Sequence, residues 1–374
     1  MLVTNPAISI NPPRRLLFGP GPSQVAPQVY EAMGKPIVGH LDPYFFQVVE
    51  DIRRDLRTVF GTQNPFVHVI SGTGSSGMET SLANFVEPGQ KLAVLVSGYF
   101  SERIAEMGVR HGAIVVRLDK PWGENFTEEE VTGFLNKEKP HAVGFVHAET
   151  STGVLQNPSF VTRPARAVGA LTIMDCVTSL GAIPINLDAH GVDIAFSCTQ
   201  KGLSCPPGLS PVTVSPAAVE RLRARKAACP IWYMDLKLLL EYYDGAHRYH
   251  HTAPISSFYA LHQGLALVNE EGLEARFARH TKAAAEFVRG IEAAKLQMFV
   301  PAGHRITHLN TVRVPEGADE LKARKRLIAE HSIEIAGGFG PLAGKIFRIG
   351  LMGPLATQEN ARMLVDALVA CLKG

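Results

Sequence analysis

The sequence is poor in several things, and each shortage excludes something. Five cysteines stand among 374 residues (Cys176, Cys198, Cys205, Cys229 and Cys371), odd in number and with no Cys-x-x-Cys pair. That argues against a disulfide framework and a structural zinc site, and suits a reducing compartment. There is no surplus of charge: Lys+Arg is 37, Asp+Glu is 35, and the net charge is +2. With no polybasic block either, neither nucleic acid nor an anionic membrane finds a footprint. No apolar run approaches ~20 residues, so no membrane-spanning helix is expected. No segment recurs at a solenoid or propeller period. The opening MLVTNPAISINPPRR lacks the basic-then-apolar order of a signal peptide, and the closing CLKG is neither a peroxisomal tripeptide nor a prenylation box. A cytoplasmic protein is the expectation.

What is present is an ordinary globular composition, 46% hydrophobic and 19% charged, with a mean hydropathy of +0.06. This excludes a disordered chain, a collagen and a coiled coil. The length points to two domains or one large domain with an appendage. Residues 1–24 are Pro/Gly-rich and read as an irregular arm. Seven short apolar runs follow: Phe66–Ser71, Lys91–Ser97, Ala113–Leu118, His141–His147, Leu171–Asp175, Val192–Ser197 and Leu209–Val214. Several are continuously apolar, as in strands buried on both faces, and amphipathic stretches separate them. The pattern predicts an α/β/α domain over 25–271 with a mostly parallel seven-stranded sheet. Leu273, Phe277, Ala284, Phe287, Val288 and Ile291 recur at helical spacing and open a smaller α+β domain over 272–374. Its strands are read at Leu309–Val314, Ser332–Ala336 and Ile346–Gly350. A last helix is capped by Thr357 and buries Ala361, Leu364, Val365, Leu368 and Leu372.

Three segments carry chemistry. Gly72-Thr73-Gly74-Ser75-Ser76-Gly77 follows a strand and opens a helix, where small residues let backbone N–H groups approach an anion. The string also spells GxGxxG, but no acid stands at the end of the next strand to hold a ribose, so the dinucleotide reading fails. The strand Leu171–Asp175 ends in a carboxylate at the edge where open α/β sheets bind ligands; for a lone Asp, an N-cap or an ion pair is the stronger explanation. The strand before Gln200-Lys201 delivers a lysine among small residues, where desolvation favours a neutral, nucleophilic amine over a solvated charge. A phosphate cradle, a strand-end acid and a strand-end lysine together are what pyridoxal 5'-phosphate requires: an anchor for its phosphate, a partner for its ring nitrogen, and an amine for its aldehyde carbon.

The Lys201 segment, with Asp193, Cys198, Thr199, Gln200 and Gly208, resembles the class V aminotransferase signature. The resemblance runs through LLFGPGPS, GHLDP, ISGTGS, HAETSTGVLQ, MDCVTSLG, SCTQKG, RYHHTAP and KIFRIGLMG, and is strongest to the alanine–glyoxylate and serine–glyoxylate branch. It implies a fold-type-I pyridoxal-phosphate transferase that works as a homodimer with shared active sites. It implies a reaction moving an amino group from alanine or serine to glyoxylate, and so small amino-acid and 2-oxo-acid partners. By the same resemblance Thr73, Gly74, Ser75 and Gln200 hold the phosphate, joined by Tyr249 and Thr252 from the other subunit. Phe100 stacks on the ring where the family often has Trp, keeping the stacking and losing the indole donor. Thr150 faces the ring hydroxyl, Asp175 meets the ring nitrogen, Val177 packs on the ring, Lys201 is catalytic, and Arg348 binds the substrate carboxylate.

Alternatives remain. A ureidoglycine donor, or a desulfurase using Cys205, would keep the cofactor, and a non-catalytic phosphate binder would not. His304 and His308 have a metal-like spacing, but on an extended segment it does not bring the rings together; no metal is expected. His250 and His251 are expected to diverge on a strand, and His147 to sit just behind the site. No GxSxG elbow occurs, so a hydrolase has no nucleophile turn.

Overall fold

The structure, a computed structural model, describes residues 10–244 and 247–373. The seven expected strands are all present: β1 (Phe66–Ser71), β2 (Lys91–Val96), β3 (Ile114–Asp119), β4 (Ala142–Val146), β5 (Leu171–Asp175), β6 (Ile194–Phe196) and β7 (Leu209–Val214). They form one sheet in the order β1-β7-β6-β5-β4-β2-β3. All are parallel except β7, which runs antiparallel to both neighbours. Every residue of β4, β5, β6 and β7 is buried, the polar Thr172, Asp175, Ser210 and Thr213 included, which requires cover on both faces. Edge strand β3 is mostly part-exposed, and its Ile114 is open to solvent.

Helices α1 (Pro43–Phe60), α2 (Gly74–Phe85) and α3 (Tyr99–Arg110) flank the sheet. Helices α4 (Ile255–Glu271) and α5 (Leu273–Ala293) are parted by Gly272, whose φ of 79° breaks the run. Only Ala284, Phe287 and Ile291 of the six apolar positions expected to face inward on α5 are fully buried. The inner face of its first turns belongs to Arg276 and His280: Arg276 donates to the Gly181 and Gly202 carbonyls, both at 2.7 Å, and His280 Nε2 accepts from the Gly353 N–H at 3.2 Å.

Two cores result. One gathers side chains between Val25 and Val268; the other gathers Phe18 with residues between Ala283 and Cys371. The second lies around an antiparallel sheet of β8 (Leu309–Arg313), β9 (Ala336–Gly337) and β10 (Ile346–Gly350), in the order β8-β10-β9. The single strand expected at Ser332–Ala336 is two pieces. Ala336–Gly337 joins β10, while Ile333–Glu334 pairs in parallel with Leu16–Leu17. The arm is therefore not wholly irregular: Leu16 and Leu17 pair as a strand, and Phe18 is fully buried in the second core. Residues 1–9 of the arm lie outside the described residues. The last helix, α6 (Gln358–Leu372), is capped as expected by Thr357, which accepts from the Asn360 N–H. Cys371 takes the buried place expected for Leu372, which is only half-buried.

Candidate functional site

The C-terminal ends of β1, β5 and β6 converge. After β1 the chain turns at Gly72, whose N–H donates to the Gly208 carbonyl at 2.8 Å. Thr73, the N-cap of α2, makes no side-chain cap bond, so the leading N–H groups of the helix stay open to an anion. Gly74 is needed for closeness: a Cβ there would stand 2.9 Å from Val177 Cγ2 and 3.3 Å from Cys198 Cβ. The cradle, the Asp175 segment and the lysine segment are thus packed against one another.

Asp175 is 3% exposed, and its Oδ1 accepts from the Val177 N–H at 2.8 Å. Burial pushes its pKa up to about 7, and the nearby Glu149 adds to the rise. A buried carboxylate so placed is short of a cationic partner. The Lys201 ammonium is shifted the other way, down, by burial first, with Arg348 adding to the shift. Its Nζ donates to the Pro20 carbonyl. The Gln200 Oε1 beside it is buried without a hydrogen-bond partner. Thr150 is buried and bonded through its hydroxyl to Thr178. Phe100 is half-buried at the start of α3, with the Arg103 guanidinium 5.2 Å from its ring centre. Arg103 also donates to Ser75 Oγ at 3.2 Å.

Arg348 lies at the centre of β10, 3% exposed, far from Lys201 in sequence yet close enough to depress its pKa. No acid lies within ion-pair distance of it among the described residues; its Nε donates to the Gly337 carbonyl at 2.6 Å. Burial lowers its own pKa to about 10. A buried, unpaired guanidinium is ready for an anionic ligand.

Tyr249 and Thr252 do not join this cluster: both are exposed, and the Tyr249 ring lies 5.2 Å from His40. Their neighbour His251 bonds Ser71 Oγ at 2.9 Å, so the segment passes the end of β1. The expected divergence of His250 and His251 does not occur. The segment is not a strand, and the rings meet Nδ1 to Nδ1 at 2.8 Å, because Trp232 stacks on one and Ser71 holds the other. His147 sits behind the site with Nδ1 on Ser179 Oγ at 2.9 Å. His304 is exposed and bonds Asn125, whereas His308 is fully buried. Cys205 is buried, its thiol donating to the Leu203 and Ala260 carbonyls.

Two contributors escaped the sequence reading. Glu149, 1% exposed, accepts from the N–H groups of Phe100, Ser101 and Ser151 and from the hydroxyls of Ser101 and Ser151, at 2.6–3.3 Å. It fixes the turn that presents Phe100. Its signal was there: one acid in an otherwise uncharged run of small residues, Ala148–Gly153. The other is the arm, which brings Pro20 and Ser23 onto the lysine segment.

The open helix terminus, the Asp175 carboxylate with no cationic partner in ion-pair distance among the described residues and the Lys201 amine whose pKa burial lowers fit the phosphate, ring nitrogen and aldehyde of pyridoxal phosphate.

Known proteins resemble the chain along its whole length. The family model for Aminotransferase class-V matches residues 15–364. The alanine–glyoxylate aminotransferase of Callithrix jacchus is 39% identical, over 100% of this chain and 92% of that protein. The (S)-ureidoglycine–glyoxylate transaminase of Bacillus subtilis is 36% identical, over 96% and 91%. A crystal structure of the alanine–glyoxylate aminotransferase from Nostoc superposes with a TM-score of 0.96 at 44% identity, covering 97% of each chain.

Proposed function

The chain belongs to the class-V aminotransferases and is a transaminase; from that premise we propose that it carries the amino group of alanine or serine to glyoxylate, using pyridoxal phosphate. The observation that carries the reading is the meeting of Lys201, Asp175 and the unpaired Arg348 at one place. A second donor, (S)-ureidoglycine, is kept because the Bacillus subtilis relative uses it by name.

The roles follow from the side chains. The open N–H groups of α2, with Thr73, Gly74, Ser75 and Gln200, hold the phosphate. Val177 and Phe100 pack on the ring, and Thr150 faces its hydroxyl. The Asp175 carboxylate keeps a proton on the ring nitrogen by ion pairing. When bound, pyridoxal phosphate supplies an electron sink for the bond broken at the substrate Cα. Lys201, its pKa lowered by burial, takes the Cα proton as a neutral amine and returns it one position away. Arg348 grips the α-carboxylate shared by donor and acceptor with two parallel N–H bonds.

The exposed apolar side chains Tyr30, Ile37, Leu41, Tyr44 and Trp232 support a homodimer, in which Tyr249 and Thr252 reach the phosphate of the partner subunit. The division 1–24, 25–271 and 272–374 and a cytoplasmic setting belong to the same reading. Among the described residues no helix is long and apolar enough to cross a membrane.

The test is an amino-donor panel (alanine, serine, ureidoglycine, aspartate) with glyoxylate, run on wild type and Lys201→Ala. Glycine should form with a small donor in wild type, accompanied by a visible absorbance band on adding the cofactor. Both should vanish in the variant. Glycine formation by Lys201→Ala at more than a trace rate would sink the assignment.

A further inference from the structure

Arg348 is held by two contacts that leave its outer nitrogens free. Its Nε serves Gly337, and its Cζ lies over the Phe339 ring, 3.8 Å from the ring centre. Phe339 precedes the tight turn Gly340–Leu342, which rests on Trp122. Across the cleft Phe339 meets Tyr99 of the large domain, with ring centres 4.9 Å apart. Tyr99 in turn stands edge-on to Phe100 at 5.6 Å and carries the Arg103 guanidinium at 5.1 Å. The Tyr99 backbone is pinned, its N–H donating to Ser151 Oγ at 2.9 Å. A continuous row therefore links the proposed carboxylate anchor to the residue that covers the cofactor ring. Its middle is two large rings, one from each domain. Neither belongs to a core: Tyr99 is 38% exposed and Phe339 is half-buried.

We propose that Phe339 and Tyr99 form the specificity wall of the substrate site. Phe339 is the positioning residue of the Arg348 fork, and the two rings together close the space beside the carboxylate. Donors and acceptors with side chains up to methyl or hydroxymethyl fit, and longer ones, the ureido group of (S)-ureidoglycine included, collide with the rings, so the wall belongs to the alanine or serine reading and not to the second donor. The inference rests on the proposed reading of Arg348 as carboxylate anchor. A stacked guanidinium keeps its plane, so the fork presents both outer N–H groups in one orientation. A wall of rings held from both sides yields little, and each further methylene then costs about 10- to 200-fold in selection.

The experiment measures two quantities on the cofactor-loaded protein, for wild type, Tyr99→Ile, Phe339→Leu and the double variant. Calorimetry gives the Kd of glyoxylate, pyruvate and 2-oxovalerate. Steady-state kinetics give kcat/KM for alanine, 2-aminobutyrate and norvaline. Wild type should favour the short member of each series, and the double variant should lose about tenfold or more of that preference. Phe339→Leu alone should also weaken every carboxylate by about 3- to 30-fold, as loss of the stacked ring predicts. Tyr99→Ile should weaken short carboxylates less than Phe339→Leu does, because Tyr99 does not touch the guanidinium. The visible spectrum should be unchanged throughout. A chain-length preference that survives in the double variant within about twofold, or equal weakening of all ligands by both single variants, overturns the proposal. Should wild type use neither alanine nor serine, the donor reading fails separately, while the Kd series of the oxo acids still decides the wall.

Discussion

Lys201 donates through its side chain to the carbonyl of Pro20, a residue 181 positions earlier. Ser23 ties the same arm down twice more, its hydroxyl donating to the Lys201 carbonyl at 2.7 Å and its N–H to the Gln200 carbonyl at 2.9 Å. Upstream, Phe18 is buried in the second core and Leu16–Leu17 pairs with Ile333–Glu334. The arm thus runs from the small domain to the reactive amine.

Gly21 is where that arm crosses the lysine. Its φ is 128°, and a Cβ would lie 2.5 Å from Lys201 Nζ. Gly21→Ala should therefore displace the amine and lower kcat by about tenfold or more, with a backbone cost of about 1–2 kcal/mol. Steady-state rates and a denaturant titration measure both; a wild-type kcat would mean that the arm withdraws from the amine during turnover.

Glu149 serves five donors at the start of α3. In Glu149→Gln one acceptor oxygen becomes an NH2 that faces donors. The expected loss is about 1–3 kcal/mol of stability, with a raised cofactor Kd because the Phe100 turn loosens. Urea midpoints and cofactor titration report the two effects, and an unchanged pair of values would contradict the role given to Glu149.

Arg348→Lys replaces a planar fork by a point charge. KM should rise for both donor and glyoxylate by about 10- to 100-fold, since both present the same carboxylate to it. The visible spectrum should not move, because no cofactor atom is involved. A spectral change with both KM values intact would make Arg348 a cofactor ligand instead.

Stability should fall as the solution is acidified below about pH 6.5. His308 is fully buried with neither ring nitrogen bonded, and burial lowers its pKa from 6.5 to about 3. His280, His147 and Lys201 around it add to the lowering. His147 is depressed to about 3 as well, and His251 and His280 to about 4. Between the folded and unfolded values only the unfolded chain takes up the proton, so acid favours unfolding. Asp175, raised to about 7, works in the opposite sense over part of the window, but burial also lowers His68, His190 and His250, so it is one group against seven. His308→Leu should flatten the slope by up to about 1.4 kcal/mol per pH unit. Chemical denaturation of the cofactor-free protein at several pH values and one protein concentration tests this; an unchanged slope would mean that His308 takes its proton in the folded state.

The seven-stranded sheet was legible because buried parallel strands write themselves as continuous apolar runs, as Leu171–Asp175 does. The Lys201, Asp175 and Gly74 segments were legible because glycines, a strand-end acid and a strand-end lysine are conspicuous in such runs. What failed depended on partners remote in sequence. Ser332–Ala336 read as one strand because nothing local announces that Leu16–Leu17 will claim its first half. Arg276 and His280 broke the apolar face of α5 because the Gly181 and Gly202 carbonyls meet Arg276 there and the Gly353 N–H meets His280. The Phe339–Tyr99 contact joins two domains and leaves no periodic trace at either end.

Strand β7 has one more consequence. Because it lies beside β6 and runs antiparallel to it, residues 197–208 leave and re-enter the sheet at adjacent strands. They are cross-tied within: the Thr199 N–H donates to the Leu209 carbonyl, the Thr199 hydroxyl to the Pro206 carbonyl, and the Cys205 N–H to the Thr199 carbonyl. Arg276 clasps the loop from outside through the Gly202 carbonyl. Surface loops are ordinarily the first places to be nicked by proteases and to exchange their amide hydrogens. This one should resist both as long as the sheet itself, so the reactive amine rides on a segment whose lifetime is that of the whole domain.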